Sequence, residues 1–167
     1  MDPATTNLVP RVSAEGQPLR VLGDFVTVRA VGADTGGAYA LFETHTLAGT
    51  GVPMHLQRYE DEAFLVFEGT FAVRVGGQTC RLGPGGYLFV PRATPHAYTN
   101  VGPDTGRLLL LVSPGGIHEH FVAEIGALDA PDDERVATLA EKYGVEFYAT
   151  PAGGRAAVPD AGVPSTR

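Results

Sequence analysis

The sequence holds a single cysteine, Cys80, among its 167 residues, so no internal disulfide can form and nothing points to a secreted, cross-linked scaffold. Basic residues are also scarce: 12 Lys and Arg against 19 Asp and Glu give a net charge of −7, and no cluster of Lys or Arg occurs anywhere. Nucleic acid and anionic membranes are therefore poor candidate partners. No apolar run approaches the roughly 18 residues of a membrane span. The amino-terminal MDPATTNLVPRVSAEG lacks the positive segment and apolar core of a secretory leader, so a cytoplasmic protein is expected. There is no internal repeat, and the length suits one ordinary domain with a sizeable core.

What is present reads as globular, with 44% hydrophobic and 19% charged residues. Short stretches of alternating hydrophobicity, separated by turns every eight to twelve residues, predict about nine strands and an all-β barrel or sandwich. Val21 to Ala30 is expected as one half-buried strand with a bend at Gly23-Asp24, and Ala38 to Leu47 as a second. Arg107 to Val112, RLLLLV, reads as a strand buried on both faces. After Ser113-Pro114-Gly115-Gly116 the character changes. Ile117, Phe121, Val122 and Ile125 fall at helical spacing, and a second helix is expected from Pro131, with Val136, Leu139, Ala140 and Tyr143 as its stripe and Gly144 as its cap. Val145 to Tyr148 is expected to return to the sheet edge.

The stretch from Gly49 to Asn100 carries the chemistry. His55 and Gln57 are two apart, so on a strand both face the same way. Glu62 follows across the turn-prone RYED, and the corner Pro91 to Pro95 presents His96 at the mouth of a later strand. These four residues can meet at one point in a small barrel.

The spacing resembles the two motifs of the cupin superfamily. Gly49, His55, Glu62 and Gly69 fall on the positions of the first motif, and Gly85, Pro91, His96 and Asn100 on those of the second. Two residues depart from the pattern: Ala93 stands where the family has Gly, and Gln57 where it has a second ligand His. The resemblance implies a cupin-type double-stranded β-helix, or jelly-roll, barrel with a short C-terminal helical segment, most similar to single-domain quercetin 2,3-dioxygenase-like cupins. On that basis residues 1–149 form one cupin domain: an arm over 1–19, the barrel over 20–113, and a helical cap and return strand over 117–148. A disordered tail is expected over 150–167.

The resemblance further implies one divalent transition metal, iron, manganese, nickel or cobalt, held by His55, Glu62 and His96, with Glu62 and His96 also the catalytic candidates. Gln57 has three readings: a weak fourth ligand, a hydrogen-bonding group for substrate, or the sign of a site that has given up metal. Among the other polar residues, Glu60 and Asp61 are expected in solvent and His45 as structural or exposed; His118 and His120, two apart on a helix, cannot both reach one metal and are expected in solvent, with one of them at the pocket mouth as the alternative. Asn100 reads as a strand-end hydrogen bonder. Phe64, Val66, Phe71, Val73, Phe89 and Tyr98 read mostly as core. Three functions remain open: a metal-dependent dioxygenase-like oxidoreductase acting on an aromatic, enol or flavonoid-like substrate; a metal-free cyclase or isomerase with His96 and Glu62 as acid and base; and a non-catalytic module binding a small ligand. A homodimer is expected from the resemblance.

Overall fold

The computed structural model describes residues 17–129 and 132–148. The expected arm up to residue 16, Pro131 and the tail lie outside the described residues.

Among the described residues, eleven strands form two antiparallel sheets. In chain order these are β1 (Leu19–Val21), β2 (Asp24–Ala30), β3 (Ala40–Thr46), β4 (Gly51–Gln57), β5 (Asp61–Glu68), β6 (Phe71–Val75), β7 (Gln78–Leu82), β8 (Tyr87–Val90), β9 (His96–Asn100), β10 (Gly106–Ser113) and β11 (Val145–Phe147). Two helices, α1 (His118–Gly126) and α2 (Asp133–Tyr143), lie between β10 and β11. One sheet runs β1-β2-β3-β10-β5-β8 and the other β11-β4-β9-β6-β7. This is a jelly roll with a short helical addition, as expected.

Sequence alternation explains the core. β3 and β10 alternate buried with partly exposed residues, and so place Phe42, Leu108 and Val112 inside. Phe64, Phe71, Val73 and Tyr98 meet them from the other strands, and Phe121, Val122 and Ile125 close one end from α1. Asp132 caps α2 by accepting from the Arg135 N–H at 2.8 Å, and Gly144 ends it in the left-handed conformation at φ 72°.

Four expectations need correction. Val21 to Ala30 is two strands: Leu22 and Gly23, both at positive φ (52° and 103°), make a tight turn, and β1 folds back on β2. Among the described residues the strand count is eleven rather than about nine, because this hairpin splits one expected strand in two and the expected return strand at the sheet edge, β11, adds another. β10 is not buried on both faces, since Leu109 and Leu111 lie on the outer side of the sheet and are only half-buried. Phe89 likewise points outward and is 50% exposed, because β8 puts Leu88 and Val90 in the inward phase.

Two irregularities aim the site. The β4–β9 ladder slips between Val52 and His55, where Pro53 can donate no ladder hydrogen bond. The slip brings His55 directly opposite His96. The corner before β9 is pinned by the Ala93 N–H donating to the Gln57 carbonyl at 2.7 Å, with Ala93 itself at φ 59°. An alanine there carries left-handed strain of about 1–2 kcal/mol that glycine avoids, offset in part by glycine's freer unfolded chain. Ala93→Gly is therefore expected to raise stability by up to about 1 kcal/mol in denaturant titration. A loss of stability would show that the corner carries no such strain.

Candidate metal centre

His55 and Gln57 come from β4, Glu62 from the start of β5 and His96 from the start of β9. All four side chains are buried, at 6%, 2%, 3% and 2% exposure. One ligand atom from each of His55, Glu62 and His96 lies within 4.8 Å of the others. The two imidazoles stack obliquely, with centroids 4.3 Å apart.

Both imidazoles are oriented in the same way. His55 Nδ1 is 2.9 Å from the Pro53 carbonyl, and His96 Nδ1 is 2.9 Å from the Thr94 carbonyl. A carbonyl only accepts, so each Nδ1 carries the proton and each Nε2 is turned inward. Histidine ligands of metal sites are commonly fixed by this kind of outer hydrogen bond. Glu62 Oε2 accepts from the Gln57 amide at 3.0 Å and lies 2.9 Å from His96 Nε2.

The electrostatics follow from burial. Desolvation, followed by the neighbouring His96, pushes His55 down to about 3, so it is neutral. For His96 burial acts downward too, but the hydrogen bond and charge of Glu62 outweigh it and the pKa is raised. For Glu62 burial acts upward, and the hydrogen bond and charge of His96 bring the net below the usual carboxylate range. His96 and Glu62 thus form a buried ion pair, with a proton on Nε2.

The donor set fits a divalent transition metal. Two imidazole nitrogens and one carboxylate converge, already oriented, and the Gln57 Oε1 beside them is buried without a hydrogen-bond partner. An ion here would replace the His96 Nε2 proton, so uptake releases that proton and weakens as pH falls.

The site opens into a cavity of about 50 Å³. At 10–15 Å³ per water this is room for about four waters. Phe42, Phe121, Val122 and Phe147 supply much of its apolar wall, and Phe147 stacks on His55 at 5.6 Å.

Several neighbours escaped the sequence reading. His118 faces the cavity rather than solvent; its Nδ1 is buried without a partner, and burial lowers its pKa. Its spacing to Phe121, Val122 and Ile125 puts it on the apolar stripe of α1, a signal that was available. Glu60 is buried, not solvated: it accepts the His118 backbone N–H at 2.8 Å and so caps α1, and burial pushes its pKa up to about 7. Asp61 is half-buried and pairs with Arg92 at 2.8 Å. Asp24, in phase with Val26 on β2, is 1% exposed and lines the cavity. The remaining residues lie as read. His45 is half-buried with its side chain 44% exposed, His120 is exposed, Cys80 is half-buried, and Asn100 donates to the Thr46 carbonyl at 2.9 Å and accepts from Gly102.

A jelly roll with a buried His-Glu-His cluster at one end defines a class, and comparison with known proteins agrees. Residues 42–112 match the family described as Cupin domain. The chain thus carries a cupin domain over these residues. Among curated proteins it is similar to quercetin 2,3-dioxygenase from Bacillus subtilis, 30% identical over 120 residues that cover 71% of this chain and 35% of that protein. It thus spans about a third of the length of that relative. Two solved structures share the fold: an RmlC-like cupin from Shewanella frigidimarina (TM-score 0.54, 22% identity, 64% of this chain and 93% of that one) and a single-residue variant of Bacillus subtilis oxalate decarboxylase (TM-score 0.54, 18% identity, 60% and 28%).

Asp24 yields a pH test. Burial raises its carboxyl from 3.8 to about 6, although the hydrogen bond from Tyr98 acts the other way. The fold therefore prefers the protonated form: the contribution to stability is full below the unfolded-chain pKa and is lost as pH rises through the raised one. Wild type is expected to lose thermal stability relative to Asp24→Asn as pH rises from about 4 to about 6. A difference in melting temperature that stays constant across that window would contradict the shift.

Proposed function

We propose that this chain is a small-molecule enzyme in which His55, Glu62 and His96 hold one divalent transition metal, iron, manganese, nickel or cobalt, with Gln57 beside it. The reaction proposed is that of a dioxygenase-like oxidoreductase acting on an enol. The observation that carries this reading is the convergence of the three ligand atoms within 4.8 Å in a buried cavity. Similarity to a quercetin dioxygenase supports the reaction class. The cavity volume narrows the substrate, since about 50 Å³ admits a small enol and no flavonoid unless the cap of α1 and β11 moves aside.

A metal bound there would supply Lewis acidity and redox chemistry beside the substrate. The residues supply the rest. The Pro53 and Thr94 carbonyls keep both imidazoles turned inward. Glu62 is the carboxylate placed to take a proton from a substrate hydroxyl, and Gln57 holds that carboxylate by its amide N–H. The apolar cap lowers the local dielectric, which strengthens each of these interactions.

One observation favours a second reading. The His96–Glu62 hydrogen bond is itself an acid–base pair, and with Gln57 in place of an imidazole the pocket could serve a metal-free cyclase or isomerase. In either case the chain is proposed to work in the cytoplasm. A homodimer is also proposed, supported by the apolar outer face where Tyr87 and Phe89 are 62% and 50% exposed.

Gln57→His separates the two readings. Under the metal reading it is expected to tighten metal binding by at least roughly tenfold while dioxygen uptake with small enols persists. His96→Ala should then lower kcat/KM for uptake roughly a hundredfold or more. Turnover of an enol without dioxygen consumption, unchanged by metal and lost in Gln57→His, would establish the acid–base reading instead.

A further inference from the structure

The cavity has a second polar end. Asp24, the first residue of β2, accepts a hydrogen bond from the Tyr98 hydroxyl through Oδ2, while its Oδ1 is buried with no partner. Thr44 Oγ1, on the neighbouring β3, lines the same cavity and is also unpartnered. Thr46 stands opposite Asp24 across the β2–β3 ladder, close enough for its hydroxyl to hold the Asp24 pKa down, though neither its Oγ1 nor Asp24 Oδ1 has a partner in good hydrogen-bond geometry. Buried carboxylate oxygens are rarely left in this state without a reason.

The position of this end is fixed by β9. Tyr98 follows His96 by two residues, so the two side chains share a face about 6.6 Å apart along the strand. The Phe64 ring packs against both His96 and Tyr98, and Val26, Phe42 and Leu110 line the cavity that Tyr98 faces. A molecule held at the His55–Glu62–His96 end would pass an apolar stretch and meet an unsatisfied acceptor.

We infer that Asp24, held in place by Tyr98, is a specificity-determining residue that accepts a hydrogen bond from a hydroxyl group of the substrate. The inference rests on the cavity being the small-molecule active site proposed above. It also specifies the substrate further. Room for about four waters, each about 30 Å³ in the liquid, corresponds to about 120 Å³, a molecule of roughly five or six non-hydrogen atoms. Since Glu62 and Asp24 both face the cavity and Glu62 is already paired with His96, an anionic substrate would meet an uncompensated carboxylate. A neutral hydroxy-carbonyl compound, which can enolise at one end and donate a hydrogen bond at the other, meets both requirements.

The test uses hydroxyacetone and methoxyacetone, which differ only in the donor hydrogen and a methyl group, titrated into the full chain at about pH 8, where the carboxyl is ionised. Binding is followed by protein chemical shifts, with and without added manganese. Wild type is expected to bind hydroxyacetone at least roughly tenfold more tightly, because methoxyacetone leaves the carboxylate oxygen unpaired. In Asp24→Asn the amide oxygen keeps the Tyr98 proton and the NH₂ faces the cavity, so the preference is expected to vanish or reverse. Should that variant not fold, a ring-labelled Tyr98 signal in wild type serves: it should shift with hydroxyacetone and stay still with acetone. Equal binding of the two ketones, no binding of either, an unchanged preference in Asp24→Asn, or a Tyr98 signal indifferent to the hydroxyl would overturn the inference. Manganese uptake is read from the same samples. Hydroxyl discrimination without metal uptake would remove the metal reading and leave Asp24 in its role; uptake without discrimination would do the reverse.

Discussion

Three titratable side chains, His55, Glu62 and His96, are buried together, and a buried charge must be compensated where it stands. Glu62 is the centre of that balance. It takes hydrogen bonds from Gln57 and His96, and His55, desolvated by burial and also close to His96, stays neutral. Removing either partner would leave a carboxylate uncompensated in an apolar setting. The rest of the structure serves to hold these groups at the right distance: the slip at Pro53 turns His55 toward His96, the corner at Ala93 fixes the start of β9, and backbone carbonyls lock both rings.

The cap is tied into the same arrangement. Glu60 accepts the first N–H of α1, and Glu119 accepts from Gly32 at 2.7 Å and Gly116 at 3.0 Å. Two carboxylates thus anchor the N-terminal turn of α1, one of them, Glu60, in the β4–β5 turn that leads directly to Glu62. From this anchored turn His118 and Phe121 reach the cavity. The helical segment is therefore part of the site's wall and helps to keep the cavity small.

The sequence made the barrel and the cluster legible because both depend on local, periodic signals. Glycine and proline punctuation marked the turns, alternation marked the inward faces, and the spacing from Gly49 to Asn100 brought His55, Gln57, Glu62 and His96 to one place. What escaped depends on contacts between distant elements. Glu60 looked solvated beside Asp61, and only the arrival of α1 at that turn gives its carboxylate a donor. His118 was judged by its relation to His120, although its relation to Phe121 and Val122 decided its direction. Asp24 reads locally as part of a bend, because a turn at Leu22-Gly23 requires a leucine in the left-handed region, which local preference disfavours and burial of Leu22 in the cavity wall compensates.

The measurement that bears most directly on the account is metal analysis, with X-ray absorption, of protein isolated without chelator or nickel affinity resin. The expected result is about one iron, manganese, nickel or cobalt ion per chain in a mixed nitrogen and oxygen shell with imidazole scattering, abolished in His96→Ala. Protein that comes without metal, and takes up none of these ions when titrated at neutral pH, would contradict the central claim and leave the His96–Glu62 pair to act on its own.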